Sequence, residues 1–238
     1  MALRVERRDR VRVLTLDDPP KRNALGLEMV EQIVDAVTAA EADEGVGALV
    51  VTGTPPAFCS GADRSNLAEL RTDRGGNPDE VRSIYEGFLS VRDCALPTVA
   101  AVNGPAVGAG FNLAMCCDVI LAAESARFVP GFTKIGIHPG GGHTWMLERA
   151  VGPHTAAAIA LFGETVEGPR AAEIGLAWRC VPDATLLDEA LALATRVTEL
   201  SRDLAIAIKA TLREVPWQPD FAAAVNTELD RQKRSFGN

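Results

Sequence analysis

The chain has 238 residues, of which 47% are hydrophobic and 24% are charged, and its formal net charge is −8. This length supports one large domain or two small ones, and an acidic chain is a poor match for nucleic acid, whose phosphates attract a basic surface. No run of about eighteen apolar residues occurs, so we expect no membrane span. The charged start is unlike a secretory signal, and the five cysteines form no CxxC pair, which predicts reduced thiols in a cytoplasmic protein.

The predicted elements alternate between strand and helix along most of the chain. In chain order they are a hairpin at residues 3–6 and 11–17, a helix near 27–37, a strand at Ala48–Thr52, a helix from Pro78 with Asn77 as its N-cap, a strand at Thr98–Asn103, a helix near Ala109–Cys117, a strand at Val119–Ala122 and a helix near Thr144–Ala150. After about Pro182 the sequence is rich in Ala and Leu at helical spacing. Strands alternating with helices before a helical tail predict an α/β fold, with a core at residues 1–182 and a helical region at 183–238.

Two turns of small residues follow predicted strands. The first is AFCSGAD at Ala57–Asp63, and the second is NGPAVGAG at Asn103–Gly110, where a helix begins. Small residues let backbone N–H groups approach a ligand closely, and a helix N-terminus presents unpaired N–H groups with partial positive charge. If both turns face one place, they form an oxyanion hole for an enolate or a tetrahedral oxygen. Each turn alone is equally typical of an ordinary strand-to-helix connection.

Other motif interpretations fail on single residues. Leu113 stands where a dinucleotide fingerprint that includes Gly108 needs a glycine, and neither a phosphate-loop motif nor GxSxG occurs. His138 and His143 are five residues apart in a glycine-rich stretch, but no nearby carboxylate or thiolate completes a metal site, so none is expected. Cys59 flanks the first turn without an evident base in the sequence, which argues against a nucleophilic thiol.

Several segments, in a fixed order, resemble the crotonase (enoyl-CoA hydratase/isomerase) superfamily. They are PKRNAL at Pro20–Leu25, AFCSGAD at Ala57–Asp63, AAVNGPAVGAGFNLAMCCDVILA at Ala100–Ala122, ARF at Ala126–Phe128, IGIHPGGG at Ile135–Gly142 and AAEIGLAWRCV at Ala171–Val181. The resemblance runs from about residue 10 to 213 and implies a spiral of ββα units. It also implies that the helical tail packs on neighbouring subunits, as a lid or oligomerisation region, in a trimer or a hexamer made of two trimers. No cofactor is implied beyond coenzyme A, which enters as part of the substrate or ligand.

The resemblance assigns roles to individual residues. The two oxyanion N–H groups are implied to be those of Ala62 and Ala109, and alanine at the second position, where relatives usually have glycine, keeps the N–H. Asp63 and Asp118 are implied to be structural. The residues implied to contact coenzyme A are Lys21, Arg22, Ala24, Ser60 and Lys209. A solvated surface charge is an equally good interpretation of each of these lysines and arginines.

The chain departs from the superfamily at its acid–base positions. Hydratases carry two glutamates, which the resemblance aligns with Asn112 and Phe132, and some relatives carry an aspartate at the position of Gly140. Adding water to a double bond needs a base and an acid, and each lost group typically costs about 10²–10⁴ in rate. We therefore expect little ordinary hydration. The apolar side chain of Phe132 also favours a long or bulky acyl group.

The best titratable candidate for a proton carrier is His138, because histidine changes charge near neutral pH. A loop histidine bonded to the backbone explains it slightly better, and His143 and Asp63 follow as weaker candidates. Three functions remain open. The first is an enzyme of the lyase or isomerase class that acts on an acyl- or enoyl-CoA through an enolate. The others are a non-catalytic acyl-CoA carrier or sensor and a true enoyl-CoA hydratase with a non-standard base.

Overall fold

The computed structural model describes residues 2–63 and 78–236, and the strands within these ranges form two sheets. The strands are β1 (Leu3–Arg8), β2 (Val11–Leu16), β3 (Ala48–Gly53), β4 (Thr98–Val102), β5 (Pro105–Val107), β6 (Val119–Ala123), β7 (Arg127–Val129), β8 (Val166–Glu167) and β9 (Arg179–Val181). The larger sheet has the order β1-β2-β3-β4-β6-β9, and the smaller has the order β5-β7-β8. Strands β1 and β2 form the predicted antiparallel hairpin. From β2 to β9 the larger sheet is parallel, which requires the connections to cross over it.

Helices supply most of those crossovers. They are α1 (Leu27–Ala42), α2 (Pro78–Asp93), α3 (Ala109–Cys116), α4 (His143–Ala160), α5 (Gly168–Glu173), α6 (Leu186–Thr198), α7 (Arg202–Glu214) and α8 (Phe221–Ser235). The predicted α/β class is confirmed. Helix α2 begins at Pro78 as predicted, and its proposed N-cap, Asn77, lies outside the described residues.

Helix α4 and the smaller sheet are among the elements that differ from the prediction, as are α5 and β9, which were not predicted. Helix α4 continues ten residues beyond the predicted end at Ala150, to Ala160, because an alanine-rich run resumes the helix after Gly152 and Pro153. Gly152 has non-helical backbone angles, so the element is kinked there. The strands of the smaller sheet were not predicted, since strands of two or three residues are too short to show an alternating pattern.

The central strands are the most buried part of the fold. All six residues of β3 and all five of β4 are buried, as expected for parallel strands covered on both faces. Helix α1 buries one stripe, Met29, Val30, Ile33, Ala36, Val37 and Ala40. Burying a large apolar side chain contributes about 1.5–3 kcal/mol, so this core holds the carboxyl ends of β3 and β4 in place. Both turns predicted to carry the site follow those ends.

The helical region after residue 182 is divided in its packing. Helix α6 buries Leu186, Ala190 and Ala194 and packs against β3 and β4, so it covers the core sheet. Helices α7 and α8 expose large apolar side chains, among them Ile208, Leu212, Phe221, Val225 and Leu229. The division at residue 182 and the trimeric or hexameric assembly stay predictions. No helix in the described ranges is both long enough and apolar enough to cross a membrane.

Candidate active site

The two small-residue turns lie side by side. Cys59 and Ala106 form an isolated parallel bridge. The amide of Cys59 donates to the carbonyl of Pro105 at 3.1 Å, and the amide of Val107 donates to the carbonyl of Cys59 at 2.9 Å. Turns that follow two different strands of the sheet are thereby joined by backbone hydrogen bonds.

Two glycines allow the turns to approach this closely. Gly61 has a φ of 97°, and a Cβ atom there would lie 2.7 Å from the carbonyl oxygen of Val107 and 3.7 Å from the amide nitrogen of Ala109. A Cβ atom at Gly110 would overlap the carbonyl oxygen of Cys59. A larger residue at either position would separate the turns, since one contact is with backbone in each case.

The backbone N–H groups of Ala62 and Ala109 have no acceptor among the described residues. Ala62 is held by its neighbours, because Leu25 donates to the carbonyl of Gly61 at 2.7 Å and Asp63 donates to the carbonyl of Leu25 at 3.0 Å. Ala109 is the first residue of α3, where the helix dipole adds partial positive charge to the free amide. Two free amides on adjacent turns can together bind one oxygen that carries negative charge.

The first turn is anchored by the buried side chain of Asn23. Its amide nitrogen donates to the carbonyls of Thr54 and Ala57, at 2.8 and 2.7 Å, and its amide oxygen accepts from the backbone N–H of Asp18 at 2.9 Å. The residue has a φ of 58°, a left-handed conformation that asparagine tolerates better than most residues. One amide side chain therefore joins the loop at 18–24 to the loop that carries Ala62.

Lys21 and Arg22 lie on the exposed side of this anchored loop. The hydroxyl of Ser60 donates to the carbonyl of Lys21 at 3.0 Å, and the amide of Ser60 donates to the carbonyl of Arg22 at 3.0 Å. The ammonium of Lys21 lies 2.8 Å from the carboxylate of Asp63, which raises the pKa of Lys21 through the hydrogen bond and the opposite charge. Both side chains are exposed, so two cations flank the first turn at the surface.

A second hydrogen-bonded group surrounds Asn112, one turn along α3 from Ala109. Asn112 is 1% exposed. Its amide nitrogen donates to the carbonyl of Gly140 at 2.9 Å, and its amide oxygen lies 2.8 Å from Nδ1 of His143. Because the amide oxygen can only accept, Nδ1 carries the proton and Nε2 of the neutral ring carries a lone pair. The side chain of Asn112 therefore joins the start of α3 to the start of α4.

His143 is enclosed by aromatic rings. The ring centroids of Phe111 and Phe132 lie 5.2 and 5.0 Å from that of His143, both edge-on. His143 is 1% exposed, and its Nε2 is buried without a hydrogen-bond partner among the described residues. Burial lowers the pKa of His143 to about 4, since a charged imidazolium loses its hydration in an apolar surrounding. The ring is neutral at physiological pH.

Phe132 connects this group to the second turn. A Cβ atom at Gly108, the residue before Ala109, would lie 3.8 Å from the edge of the Phe132 ring. The ring is partly buried and contacts His143 on another side. The region beside the two free amides is therefore bordered by an aromatic ring, with an amide and a neutral imidazole behind it. The carboxylate of Asp63, the residue after Ala62, is paired with Lys21.

Comparison with known proteins identifies the family. The family model for enoyl-CoA hydratase/isomerase matches residues 6–236. The chain belongs to the enoyl-CoA hydratase/isomerase family. A Mycobacterium tuberculosis protein named "Probable enoyl-CoA hydratase EchA14" is 46% identical over 205 residues, which cover 85% of this chain and 78% of that protein. The 2,3-dehydroadipyl-CoA hydratase of Escherichia coli is 37% identical over 228 residues, covering 96% and 87%.

Solved structures agree with this membership. The crystal structure of an enoyl-CoA hydratase from Polaromonas sp. JS666 matches with a TM-score of 0.91 and 29% identity, covering 98% of this chain and 91% of that one. The predicted crotonase-type fold is thus confirmed. Membership of a hydratase/isomerase family places the chain with enzymes of the lyase and isomerase classes.

His138 lies apart from the buried group. It is exposed, and its Nδ1 donates to the carbonyl of Pro139 at 2.7 Å, which is the backbone-bonded arrangement that the sequence analysis weighed against a catalytic role. The bond leaves Nε2 without a proton in the neutral ring. The structure therefore separates the two histidines of this glycine-rich stretch, since His138 is exposed and His143 is buried.

Lys209 lies on a helix of the tail, as predicted, and its side chain is buried. Its ammonium is buried, lies 2.6 Å from the carboxylate of Asp118 and donates to the carbonyl of Leu96 at 2.6 Å. A cation already paired inside the protein is poorly placed to meet the phosphates of coenzyme A, so its contacts give that expectation no support. Asp118 also accepts from the amide and hydroxyl of Thr98, at 2.8 and 2.9 Å, in keeping with its predicted structural role.

The thiol of Cys59 is protected by burial. Cys59 is fully buried beside the first turn, and desolvation raises its pKa to about 12. A thiolate is the nucleophilic form of cysteine, so a thiol with so high a pKa is unreactive at neutral pH. Among the described residues no group of three His, Cys, Asp or Glu side chains is placed to hold a metal ion.

Two important residues were missed or ranked low from the sequence. Asn23 belongs to the PKRNAL segment, but the sequence gives it no role of its own. Its αL conformation and full burial make it the anchor of the loop. His143 was ranked below His138. His143 is the first residue of α4, and its side chain faces Asn112 on α3. The sequence alone does not show how α3 and α4 pack, so it does not reveal that His143 is buried.

Proposed function

We propose that this chain binds the thioester of an acyl- or enoyl-CoA in an oxyanion hole made by the N–H groups of Ala62 and Ala109, and acts on it through an enolate. The observation that carries the proposal is that these two amides lie on adjacent turns and both lack an acceptor among the described residues. Removing a proton from the α-carbon places negative charge on the thioester oxygen. Fixed N–H donors stabilise that charge without reorganising.

The coenzyme A moiety is assigned to the loop at residues 21–24 and the adjoining first turn. Lys21 and Arg22 offer two exposed cations for phosphates. The backbone around Ala24 and Ser60 is fixed by the bonds from Ser60 to this loop. Because the same loop is anchored on the turn that carries Ala62, phosphates held at the surface would fix the thioester with respect to the amides.

Ordinary hydration is expected to be slow. The positions that the family resemblance gives to two glutamates hold Asn112 and Phe132, neither of which can ionise. Asn112 is also fully engaged by Gly140 and His143. His138 is the proposed proton carrier for isomerisation, decarboxylation or cleavage, because the residue is exposed and its Nε2 is not used in the bond to Pro139.

The first test is mass spectrometry of acyl- and enoyl-CoA thioesters incubated with the pure protein in deuterated water. The proposal predicts gain of deuterium at the α-carbon or a shifted double bond. The His138→Ala variant should lose that exchange if His138 moves the proton. Unchanged exchange in His138→Ala would remove His138 from the mechanism but leave the oxyanion hole in place.

The oxyanion hole itself is tested by Ala109→Pro. Proline is tolerated at the first position of a helix and here replaces the free N–H with a ring carbon. Leu27→Pro is a matched control, because Leu27 is also the first residue of a helix, also follows a glycine and is exposed. We expect exchange to fall by about 10²–10³ in Ala109→Pro and to stay within about twofold of the wild type in Leu27→Pro.

The alternatives give different results in the same experiment. Addition of water to an enoyl-CoA at an ordinary rate would mean a true hydratase with a non-standard base. Retention of one thioester without any exchange or conversion would favour a carrier or sensor and would contradict the enolate step. Equal exchange in Ala109→Pro and in the wild type would rule out Ala109 as an oxyanion donor.

A further inference from the structure

A cavity of about 270 Å³ lies where helix α4 meets the ends of α2, α3 and α7. Neither Ala62 nor Ala109 lines it, and neither does the loop at residues 18–24. The cavity is therefore separate from the places proposed for the thioester and for coenzyme A. Pockets for drug-sized ligands typically enclose about 300–1,000 Å³, so this cavity suits a smaller molecule.

Three arginines reach the cavity from three different helices. Arg92 belongs to the last turn of α2, Arg149 to α4 and Arg213 to α7. Among the described residues that line the cavity, the only carboxylate is that of Asp118, which is already paired with Lys209 at 2.6 Å and with Arg213 at 3.3 Å. The lining thus carries an excess of positive charge, on a chain whose net charge is −8.

The guanidinium groups of Arg92 and Arg149 have few hydrogen-bond partners. The carboxylate of Asp93 lies 3.5 Å from Arg92, and that of Glu148 lies 3.8 Å from Arg149. Both distances are too long for a good hydrogen bond. Arg149 also donates to the carbonyl of Trp145, at a long 3.4 Å. Each guanidinium has five N–H donors, so within the described ranges most donors of these two side chains are left for water or a ligand.

Two tryptophan rings hold these guanidinium groups. The rings of Trp145 and Trp217 are stacked, with centroids 5.5 Å apart and planes 18° apart. The guanidinium carbon of Arg149 lies 3.9 Å from the centroid of Trp145 and 4.6 Å from that of Trp217. That of Arg92 lies 5.4 Å from the centroid of Trp145. Aromatic faces attract the positive charges, but an indole offers no hydrogen-bond acceptor. The rings therefore fix the donors in place without satisfying them.

These features select the chemistry of a ligand. An anion with oxygen acceptors would satisfy the free donors, since arginine binds carboxylates and phosphates through two parallel hydrogen bonds. A cation would be repelled by the excess positive charge. The rest of the lining is largely apolar and includes Met115, Met146 and Leu212 beside the two indole rings. An apolar body on the anion would cover these side chains, which a bare phosphate cannot do.

We propose that this cavity is a second small-molecule site, which binds a small organic carboxylate. Arg92 and Arg149 bind the carboxylate group, and the two indole rings and the methionines contact the apolar body. The site is independent of the proposed function, because none of these residues is assigned to the thioester or to coenzyme A. The bound molecule connects α2, α4 and the turn after α7, and it stabilises the folded protein.

Benzoate is the probe, and the indole N–H signals of the full-length wild type report where it binds. The three tryptophans are Trp145, Trp178 and Trp217, and Trp178 does not line the cavity. In protein labelled with ¹⁵N-tryptophan, we expect benzoate to shift the signals of Trp145 and Trp217 in a saturable way and to leave that of Trp178 unchanged. Sodium chloride at the same ionic strength should shift none of them. No saturable shift at the two cavity residues, or an equal shift at Trp178, would overturn the proposal.

Two further compounds test the chemistry of the ligand. Benzyl alcohol has the same ring without the charge, and inorganic phosphate has the charge without the ring. We expect both to bind at least tenfold more weakly than benzoate. Equal binding of benzyl alcohol would indicate an apolar groove, and equal binding of phosphate would indicate a simple anion site. Either result would overturn the proposed class of ligand.

Two variants test the arginines. Arg149→Met and Arg92→Met each remove a guanidinium and keep an unbranched apolar side chain. Arg170→Met is the matched control, because Arg170 is exposed on α5 and does not line the cavity. We expect each cavity variant to bind benzoate at least about tenfold more weakly, since hydrogen bonds to charged groups are the strong ones, and the control to bind as the wild type does.

The signal of Trp178 shows whether each variant is folded. Unchanged affinity for benzoate in both folded cavity variants would overturn the proposal. A loss of the same size in Arg170→Met would show an effect of overall charge and would also overturn it. If a cavity variant does not fold, the measurements on the wild type with the three compounds still decide the outcome.

Discussion

The ammonium of Lys209 lies 2.6 Å from the carboxylate of Asp118, which ties helix α7 to the connection between α3 and β6. Lys209 is 6% exposed, and the carbonyl of Leu96 accepts a second bond from it. Burial lowers the pKa of Lys209, and the nearby carboxylate opposes that shift. The lysine that the sequence associated with coenzyme A is thus part of the packing of the helical tail on the core.

Removing Asp118 should destabilise the protein strongly. The variant Asp118→Ala leaves the ammonium of Lys209 buried without its counter-charge. Breaking a fully buried pair on one side typically costs about 3–5 kcal/mol, and we expect a cost toward the lower end because the Asp118 side chain is 28% exposed. Lys209→Met should cost less, because it removes the charge together with its need for a partner. Urea denaturation of both variants measures the difference. A larger loss in Lys209→Met than in Asp118→Ala would show that the buried charge is not what the carboxylate compensates.

The stability of the protein should depend on His143 in mildly acidic solution. Its pKa is about 4 in the folded protein and near 6.5 in the unfolded chain. Between these values the unfolded chain binds a proton that the folded protein does not, so the free energy of unfolding falls as the pH falls from 6.5 to 4. The full loss is about 3 kcal/mol, and above pH 6.5 the residue has no effect.

The pH effect is isolated by comparing variants at pH 7 and pH 4.5. Other groups also titrate in this range, so the quantity of interest is the difference between His143→Phe and the wild type. We expect His143→Phe to lose less stability on acidification, and the exposed-site control His154→Phe to behave as the wild type. Parallel losses in all three proteins would show that His143 is not protected from protonation.

Replacing Asn23 should both destabilise the fold and disturb the first turn. Asn23→Ala leaves the carbonyls of Thr54 and Ala57 and the amide of Asp18 without their partner, at about 1–3 kcal/mol for each buried group. It also places alanine at a positive φ. Asp9→Ala controls for that strain alone, because Asp9 has a φ of 53° in an exposed turn, and it should cost only about 1–2 kcal/mol.

Lys21 and Arg22 should strengthen the binding of thioesters that carry the phosphates of coenzyme A, and should not affect the binding of the acyl group. In the double variant Lys21→Ala/Arg22→Ala we expect about tenfold weaker binding of butanoyl-CoA at low salt, with a smaller difference at high salt because exposed charges are screened. Binding of a short thioester without phosphates, such as the N-acetylcysteamine thioester, should not change. Arg170→Ala, another exposed arginine, is the control. Equal weakening for both ligands would place the two residues at the acyl end instead.

The sequence predicted what depends on local pattern. The hairpin, the central strands and the starts of α2 and α3 follow from alternation, helical spacing and the position of proline and glycine. The family was recognisable from ordered motifs, and the match to residues 6–236 confirms it. The approach of the two turns was an inference from their similar placement after strands, and the bridge between Cys59 and Ala106 bears it out.

The sequence could not show which side chains of a glycine-rich segment are buried and which are exposed. His138 and His143 stand in one glycine-rich segment, and only the packing of α4 on α3 shows that His143 faces inward while His138 faces solvent. Helical spacing also does not reveal that Lys209 is paired with Asp118 inside the protein. Burial of a polar group is a property of the tertiary structure, and no local pattern carries it.

The anchoring of the first turn by Asn23 separates two kinds of mutational change. The conformation of the turn depends on the buried amide of Asn23, while Lys21 and Arg22 are exposed on the same short loop. Under the proposed function, substitutions at the two cations therefore change the contact with the phosphates of coenzyme A without displacing Ala62. Under the same proposal, natural or engineered variation at these two positions changes recognition of the phosphate-bearing part of the substrate. The backbone at Ala62, where the thioester is proposed to bind, keeps its geometry.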